Sequence, residues 1–140
     1  MATRALSIRD AILTTLRASA VAGIPDTRIY ADLRDAIHTR PSIVVDLGDE
    51  DQPTNEYGKR RRTVALTVRI LADGADPFTV IDPIRIAAHA RIMADKTLAG
   101  KCETLEEGAS SRDRADMDVS IASLTTVYTA RYTTGLEALT

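Results

Sequence analysis

The clearest pattern of hydrophobic and polar positions lies in residues 63–71, where Val64, Leu66, Val68 and Ile70 alternate with small or polar side chains. Alternation with a period of two, rich in β-branched residues, is typical of a strand with one buried face. The sequence therefore predicts a half-buried strand here.

A strongly charged segment, residues 49–62, joins this strand to an earlier one that we predict at residues 42–47 and end at Gly48. It contains three consecutive acids, then proline, asparagine and glycine, then four consecutive cations. Turn-forming residues and dense charge keep such a segment in water. We therefore predict a long charged hairpin arm over residues 49–62 that connects two neighbouring strands of one sheet.

Two main helices are predicted from hydrophobic residues that recur at helical spacing. The first covers residues 6–22, with Ser7 as its N-cap. The second covers residues 78–94 and contains Pro83. Either Asp82 caps a helix that starts at Pro83, or an earlier turn joins that helix with a kink.

The rest of the chain gives weaker patterns. Residues 28–30 and 101–105 favour short strands, residues 31–39 fit a turn or two of helix, and residues 106–118 form a polar loop by composition. Residues 119–133 favour a long strand with apolar residues at both odd and even positions, which indicates either burial on both faces or a bulge.

Helices are few and strands are clustered along the chain, which favours an α+β fold. We predict a mainly antiparallel sheet of about four to five strands, packed by the two main helices. The 140 residues are enough for one domain, residues 1–140, with a substantial core. The net charge of −2 argues against nucleic-acid binding through the overall field of the protein.

Candidate catalytic chemistry is sparse. The chain has two histidines, His38 and His89, and one cysteine, Cys102, without zinc-site spacing. No nucleophile elbow, phosphate loop, dinucleotide turn or HExxH helix occurs. The sequence therefore predicts no enzyme, no cofactor and no metal site. His89 is expected to be a packed or surface residue, and Cys102 a buried, inert thiol.

Two clusters of acidic residues are candidates for binding a cation. Asp46, Asp49, Glu50 and Asp51 could hold a hard cation, but their order differs from that of an EF-hand loop. A solvated acidic loop is the preferred interpretation, and the same holds for the aspartates of residues 113–118.

The cations at residues 59–62 have three interpretations. They solvate the foot of the hairpin, they contact phosphates with Tyr57 nearby, or they dock on an acidic protein surface. Solvation and protein docking are favoured, because mixed charge within the arm suits a specific protein contact. The candidate assembly interface comprises Asp49, Glu50, Asp51, Tyr57, Lys59, Arg60, Arg61 and Arg62.

The order of elements resembles a known family. The strand PSIVVDL, the polar hairpin into RTVALTVRIL, the helix that ends in IMADKTLAGKCE, and the final ADMDVSIASLTTVYTARYTT are similar to the tail terminator (minor tail protein U-like) family of long-tailed bacteriophages and prophages. The resemblance covers residues 6–134 and rests on architecture more than on shared residues. Ala99 stands where a glycine is expected in the turn after the second helix.

The resemblance implies a protomer that forms a ring, usually a hexamer, on the last ring of the tail tube. Such a ring stops tube polymerisation and offers a docking surface to the head connector. The implied partners are further copies of the chain, the tail tube protein and the head-tail connector protein. The implied location is the virion tail, assembled in the host cytoplasm without secretion, with no membrane contact and no direct nucleic-acid binding.

Other functions stay open at this point. A different head-tail neck or tail-completion protein is the nearest alternative. A small-molecule-binding α+β domain would need a concave site with convergent polar groups. A nucleic-acid-binding module is the least favoured.

Overall fold

The computed structural model describes residues 2–31, 40–116 and 120–140. Within those ranges the chain forms two helices and six strands, with a short 3₁₀ turn at Asp26–Arg28 before the first strand. The elements in chain order are α1 (Arg4–Arg17), β1 (Ile29–Tyr30), β2 (Ser42–Glu50), β3 (Thr54–Glu56), β4 (Lys59–Asp73), α2 (Pro77–Met93), β5 (Thr104–Asp116) and β6 (Ser120–Gly135).

The strands form one sheet in the order β1-β2-β4-β6-β5, and β3 pairs with the first residues of β4. The neighbours are antiparallel except for β1 and β2. The central ladder between β4 and β6 runs without a register shift from the pair Lys59–Gly135 to the pair Asp73–Ile121. The predicted α+β class with a mainly antiparallel sheet is confirmed.

The hydrophobic core lies between the two helices and one face of the sheet. The side chains Val64, Leu66, Val68 and Ile70 are all buried there, as the alternation predicts. The intervening positions on β4 are half-exposed on the other face. The alternation therefore identified both the strand and its buried side.

The ends of α1 differ from the predicted helix over residues 6–22. The side chain of Thr3 accepts a hydrogen bond from the Leu6 amide, so Thr3 is the N-cap and the predicted cap at Ser7 is wrong. The helix ends at Arg17. The guanidinium of Arg91 donates hydrogen bonds to the Leu16 carbonyl in the last turn of α1 and to the Ser19 and Ala20 carbonyls just after it. It thus supplies donors at the C-terminal end of the helix, where backbone carbonyls have no partner within the helix.

α2 starts at Pro77 and continues through Pro83 to Met93. The prediction that Asp82 caps a helix beginning at Pro83 is therefore wrong. Asp76 occupies the N-cap position, and its carboxylate accepts a hydrogen bond from the Thr79 hydroxyl at 2.6 Å. A proline in the seventh position removes one backbone donor, and its exposed position on the helix leaves the buried face uninterrupted.

The predicted loop over residues 106–118 is wrong up to Asp116, because this segment belongs to β5. β5 pairs with β6 along its length, and its side chains from Glu106 to Ala115 are exposed. A strand that buries neither face carries no apolar alternation.

β6 pairs with β4 without a register shift, and its even-numbered side chains from Ala122 to Thr134 are buried while the odd-numbered ones from Ile121 to Gly135 are not. Both alternatives predicted for this strand, a bulge and burial on both faces, are therefore wrong. The register shift between β5 and β6 lies in β5, between Glu107 and Ser110.

Two other predictions, for the end of β2 and for the start of β4, have definite outcomes. β2 does not end at Gly48 but continues to Glu50, with a register irregularity after Leu47. β4 begins at Lys59 rather than at residue 63. The predictions for residues 32–39, which include His38, and for residues 117–119 lie outside the described residues. No helix in the described ranges is long and apolar enough to cross a membrane.

Candidate assembly interface

The charged arm is a β-hairpin that extends the sheet. β3 pairs with β4 in the register Glu56–Lys59, which leaves Tyr57 and Gly58 as a two-residue turn. Both turn residues have positive φ, 50° at Tyr57 and 75° at Gly58, as a type I′ turn requires. The side chain of Tyr57 is 97% exposed at the apex. The hairpin therefore presents one aromatic side chain on a structured tip.

The four consecutive cations lie in β4 and not in the loop that their charge predicts. Lys59, Arg60, Arg61 and Arg62 pair on one side with β6, in the register Lys59–Gly135 to Arg62–Tyr132. Successive side chains in a strand point to opposite faces. Lys59 and Arg61 therefore share one face, and Arg60 and Arg62 share the face that continues the core. Backbone pairing on both sides of β4 explains why dense charge did not prevent a strand here.

Arg62 connects the hairpin to the body of the protein. Its Nε donates to Thr134 Oγ1 at 2.9 Å, and its Nη2 donates to the Ala138 carbonyl at 3.3 Å. Thr134 is buried, so the guanidinium satisfies a hydroxyl that water cannot reach. On the opposite face, Arg61 lies 3.4 Å from Glu56 and 3.6 Å from Glu103. These contacts hold the hairpin in one orientation.

The acidic members of the candidate interface also separate into two groups. Glu50 accepts a hydrogen bond from the Tyr132 hydroxyl at 2.8 Å. Burial, followed by the hydrogen bond and negative charge of Glu50, raises the pKa of Tyr132. Asp49 and Asp51 are exposed where the chain passes from β2 to β3, and the Asp51 amide donates to the Thr63 carbonyl. Glu50 thus stabilises the fold, whereas the carboxylates of Asp49 and Asp51 face solvent.

The structure therefore divides the predicted interface by role. Arg61, Arg62 and Glu50 have partners within the chain. Tyr57 and Lys59 are exposed at the tip, and Asp49 and Asp51 are exposed at the bend. Arg60 is half-buried, and its Nε has no hydrogen-bond partner among the described residues. The most exposed part of the interface is the tip.

A polar cluster between α2 and the sheet was not predicted. His89 Nδ1 is hydrogen-bonded to the Tyr128 hydroxyl at 2.8 Å, and the two rings stack. His89 Nε2 lies 3.7 Å from Glu107, which is 3.9 Å from Arg85. Burial, with the charge of Glu107, raises the pKa of Tyr128 to about 12. The cluster connects the edge strand β5 to α2. The positions of its residues in the sequence gave no indication that they would meet.

Cys102 lies in the core, and burial raises the pKa of its thiol to about 11. A protonated, buried thiol is a poor nucleophile. Among residues 2–31, 40–116 and 120–140, no three histidine, cysteine or acidic residues are grouped so that they could hold a metal ion.

A second surface feature is an open groove at the start of α2, which we call the α2 groove. It has a volume of about 560 Å³ and is lined by Phe78, Thr79, Asp82, Pro83, Ile86 and Arg112. Ile86 is 69% exposed, which is unusual for an isoleucine on a helix. The sequence contained a signal for it, because Ile86 falls outside the buried positions Ile81, Ile84, Ala88 and Ile92.

The sequence matches no protein-family model and no curated protein. A chain of a solved structure, the virion of the native gene transfer agent particle, has a similar fold with a TM-score of 0.53. The two sequences are 18% identical, and the similarity covers 90% of this chain and 94% of the other. At this identity the likeness establishes the shared fold over nearly the whole of both chains.

Proposed function

We propose that this protein is a structural component of a phage-like virion and acts as a tail terminator. In this proposal, copies of the chain form a ring, hexameric as in the resembling family. The ring caps the tail tube, stops its polymerisation and offers a docking surface to the head connector. The chain uses no catalytic residue and no cofactor for this role.

The observation that carries the proposal is the fold likeness to a chain of the gene transfer agent virion, which spans 90% of this chain and 94% of the other. The likeness covers nearly the full length of both chains and is not limited to a shared fragment. That structure is of a virion, so the likeness supports a virion role in general. The terminator role rests in addition on the resemblance found in the sequence.

The structured hairpin supports an assembly role independently. An exposed aromatic residue contributes nothing to the core, yet Tyr57 is held at the apex of a paired hairpin. Aromatic side chains are enriched among the residues that dominate protein–protein binding energy. A tip that is already ordered loses little conformational entropy when it binds.

Two measurements test the proposal. Mass determination over a range of protein concentrations, with negative-stain electron microscopy, is expected to find a closed ring. Adding the protein to a polymerising tail tube protein from the same genome is expected to shorten the tubes and to leave density at one end of each tube. Tubes of unchanged length would exclude termination. If the protein bound the head connector but left tube length unchanged, the neck-protein alternative would be supported.

A further inference from the structure

We propose that the hairpin tip of one protomer, residues Glu56, Tyr57, Gly58 and Lys59, inserts into the α2 groove of a second copy of this chain. This inference rests on the proposed ring and names the contact that builds it. It combines three observations: the position of the tip, the position of the groove, and the charges that border each.

The tip and the groove lie at opposite ends of the sheet. β4 begins beside the tip and contains 15 residues, which corresponds to about 46 Å at the usual rise per residue. α2 begins at Pro77, shortly after β4 ends. Arg112, on the groove wall, pairs with Leu124, and Leu124 pairs with Ile70 near that same end. One chain therefore cannot place its own tip in its own groove.

A contact between different surfaces at opposite ends of a protomer is heterologous. Each copy that joins through such a contact still has an unoccupied tip or groove. The series ends when the rotation between neighbouring copies brings the last copy back to the first and closes a ring. A two-fold dimer interface would instead use the same patch on both copies. The separation of tip and groove thus matches the symmetry that a ring requires.

The two surfaces match in polarity, because each combines apolar groups with one charge of each sign. The apex of the tip is one aromatic side chain, and Phe78, Pro83 and Ile86 give the groove an apolar lining. Glu56 and Lys59 lie directly opposite each other on the hairpin beside Tyr57 and carry one charge of each sign, with Glu56 also 3.4 Å from Arg61. Asp82 and Arg112 line the groove and give it one charge of each sign. Opposite charges at the edge of an apolar contact favour one orientation of the tip.

A second copy is therefore the occupant to which the observations point. The tip that matches the groove belongs to this chain, and tail tube and connector subunits are the other candidate occupants. Capture of either one by the groove in place of a second copy is an outcome of the experiment and would overturn the inference.

The experiment compares assembly of full-length variants by analytical ultracentrifugation and by tube capping. Tyr57→Ala removes the inserted side chain, and Ile86→Ser removes apolar surface from the groove. Each is expected to weaken self-association about 10- to 100-fold, the range for central interface residues. Val80→Ser is the matched control, because Val80 is also exposed on α2 but does not line the groove. It is expected to assemble like the unchanged protein.

A mixing experiment makes the test specific. Tyr57→Ala protein keeps an intact groove, and Ile86→Ser protein keeps an intact tip. A 1:1 mixture is therefore expected to stop at heterodimers with one intact contact, while each variant alone stays monomeric at the same concentration. Circular dichroism spectra that match the unchanged protein establish that both exposed substitutions leave the fold intact.

The outcomes separate this inference from the proposed function. If the unchanged protein forms rings or caps tubes, and Tyr57→Ala does so equally well, the insertion is overturned while the terminator role stands. If Val80→Ser weakens assembly as much as Ile86→Ser, the groove is not the contact, and the inference is again overturned. If the unchanged protein neither assembles nor caps tubes, both the role and the contact are overturned.

Discussion

Replacing Arg62 with alanine is expected to destabilise the folded protein. If the cations of residues 59–62 only solvated the arm, none of the four would contribute to the free energy of unfolding. The guanidinium makes two hydrogen bonds, at 2.9 Å to Thr134 and at 3.3 Å to the Ala138 carbonyl. Removing it leaves the buried Thr134 hydroxyl without this partner. A hydrogen bond to a charged group contributes about 1.5–3 kcal/mol net, so about 2 kcal/mol remains after allowing for partial exposure and for the longer second bond.

The assay is urea denaturation followed by far-ultraviolet circular dichroism, because the chain has no tryptophan. A loss of about 2 kcal/mol should lower the urea midpoint by about 1 M at an unchanged slope. Lys59→Ala is the control, since Lys59 is an exposed cation in the same strand, and its effect should stay within about 0.5 kcal/mol. Arg62→Lys keeps the charge but loses the planar fork, so an intermediate loss is expected.

The reasoning would be refuted if Arg62→Ala and Lys59→Ala had equal midpoints. That result would mean that the hairpin cations are energetically equivalent and that the contacts of Arg62 contribute nothing beyond solvation. A change in slope together with the midpoint would indicate an altered unfolded or native state, and would refute the assignment of the loss to two local hydrogen bonds.

Two further predictions concern the turn and the core. Gly58→Ala places a side chain at a φ of 75°, so it should cost about 1 kcal/mol in urea unfolding through backbone strain alone, because nothing lies within 4 Å of the added methyl group; an unchanged midpoint would contradict the positive φ. Cys102 has its pKa raised from 9.0 to about 11 in the folded state, so its contribution to stability is complete below pH 9 and is lost as the pH rises towards 11. Cys102→Ser should remove that part of the pH dependence, and alkylation of the thiol at pH 9 should be much slower in the folded protein than in urea; equal rates would show that the thiol is accessible.

The sequence predicted the elements whose two faces differ in environment. The strand containing Val64 and Leu66 alternates because one side is buried, and α2 shows its stripe for the same reason. The ends of elements were less predictable, since they depend on individual hydrogen bonds. Thr3 rather than Ser7 caps α1. Threonine and serine are both good N-cap residues, so the residue type alone does not show where the helix begins.

The predicted short strand over residues 101–105 overlaps the start of β5 at Thr104 and Leu105. The rest of β5 could not be predicted, because its side chains from Glu106 to Ala115 are exposed on both faces and the strand is defined by backbone pairing with β6. The composition of this segment is that of a loop. Its charges suit an edge strand, since charged side chains discourage unintended pairing along an open edge. The mistake followed from a strand that buries Leu105 at its start but exposes both faces from Glu106 to Ala115.

The sequence predicted which segment forms the candidate interface, but not which of its residues contact the rest of the chain and which are exposed. Charge and turn residues located the arm correctly. The separation of Arg62 from Lys59 depends on pairing with β6, far away in the sequence, and local patterns contain no information about it. The α2 groove was missed, although Ile86 lay outside the predicted apolar stripe and was the available signal.

The unbroken ladder between β4 and β6 has a consequence for how the chain folds. It joins two local hairpins, β2–β3–β4 and β5–β6. Even its closest partners along the chain, Asp73 and Ile121, are separated by the whole of α2 and the whole of β5. Closing so long a loop costs chain entropy before any pairing is gained. We therefore expect the hairpins to form first and their association along this ladder to be the slow step. Folding kinetics should therefore respond most to substitutions at the β4–β6 seam and least to substitutions at the tip.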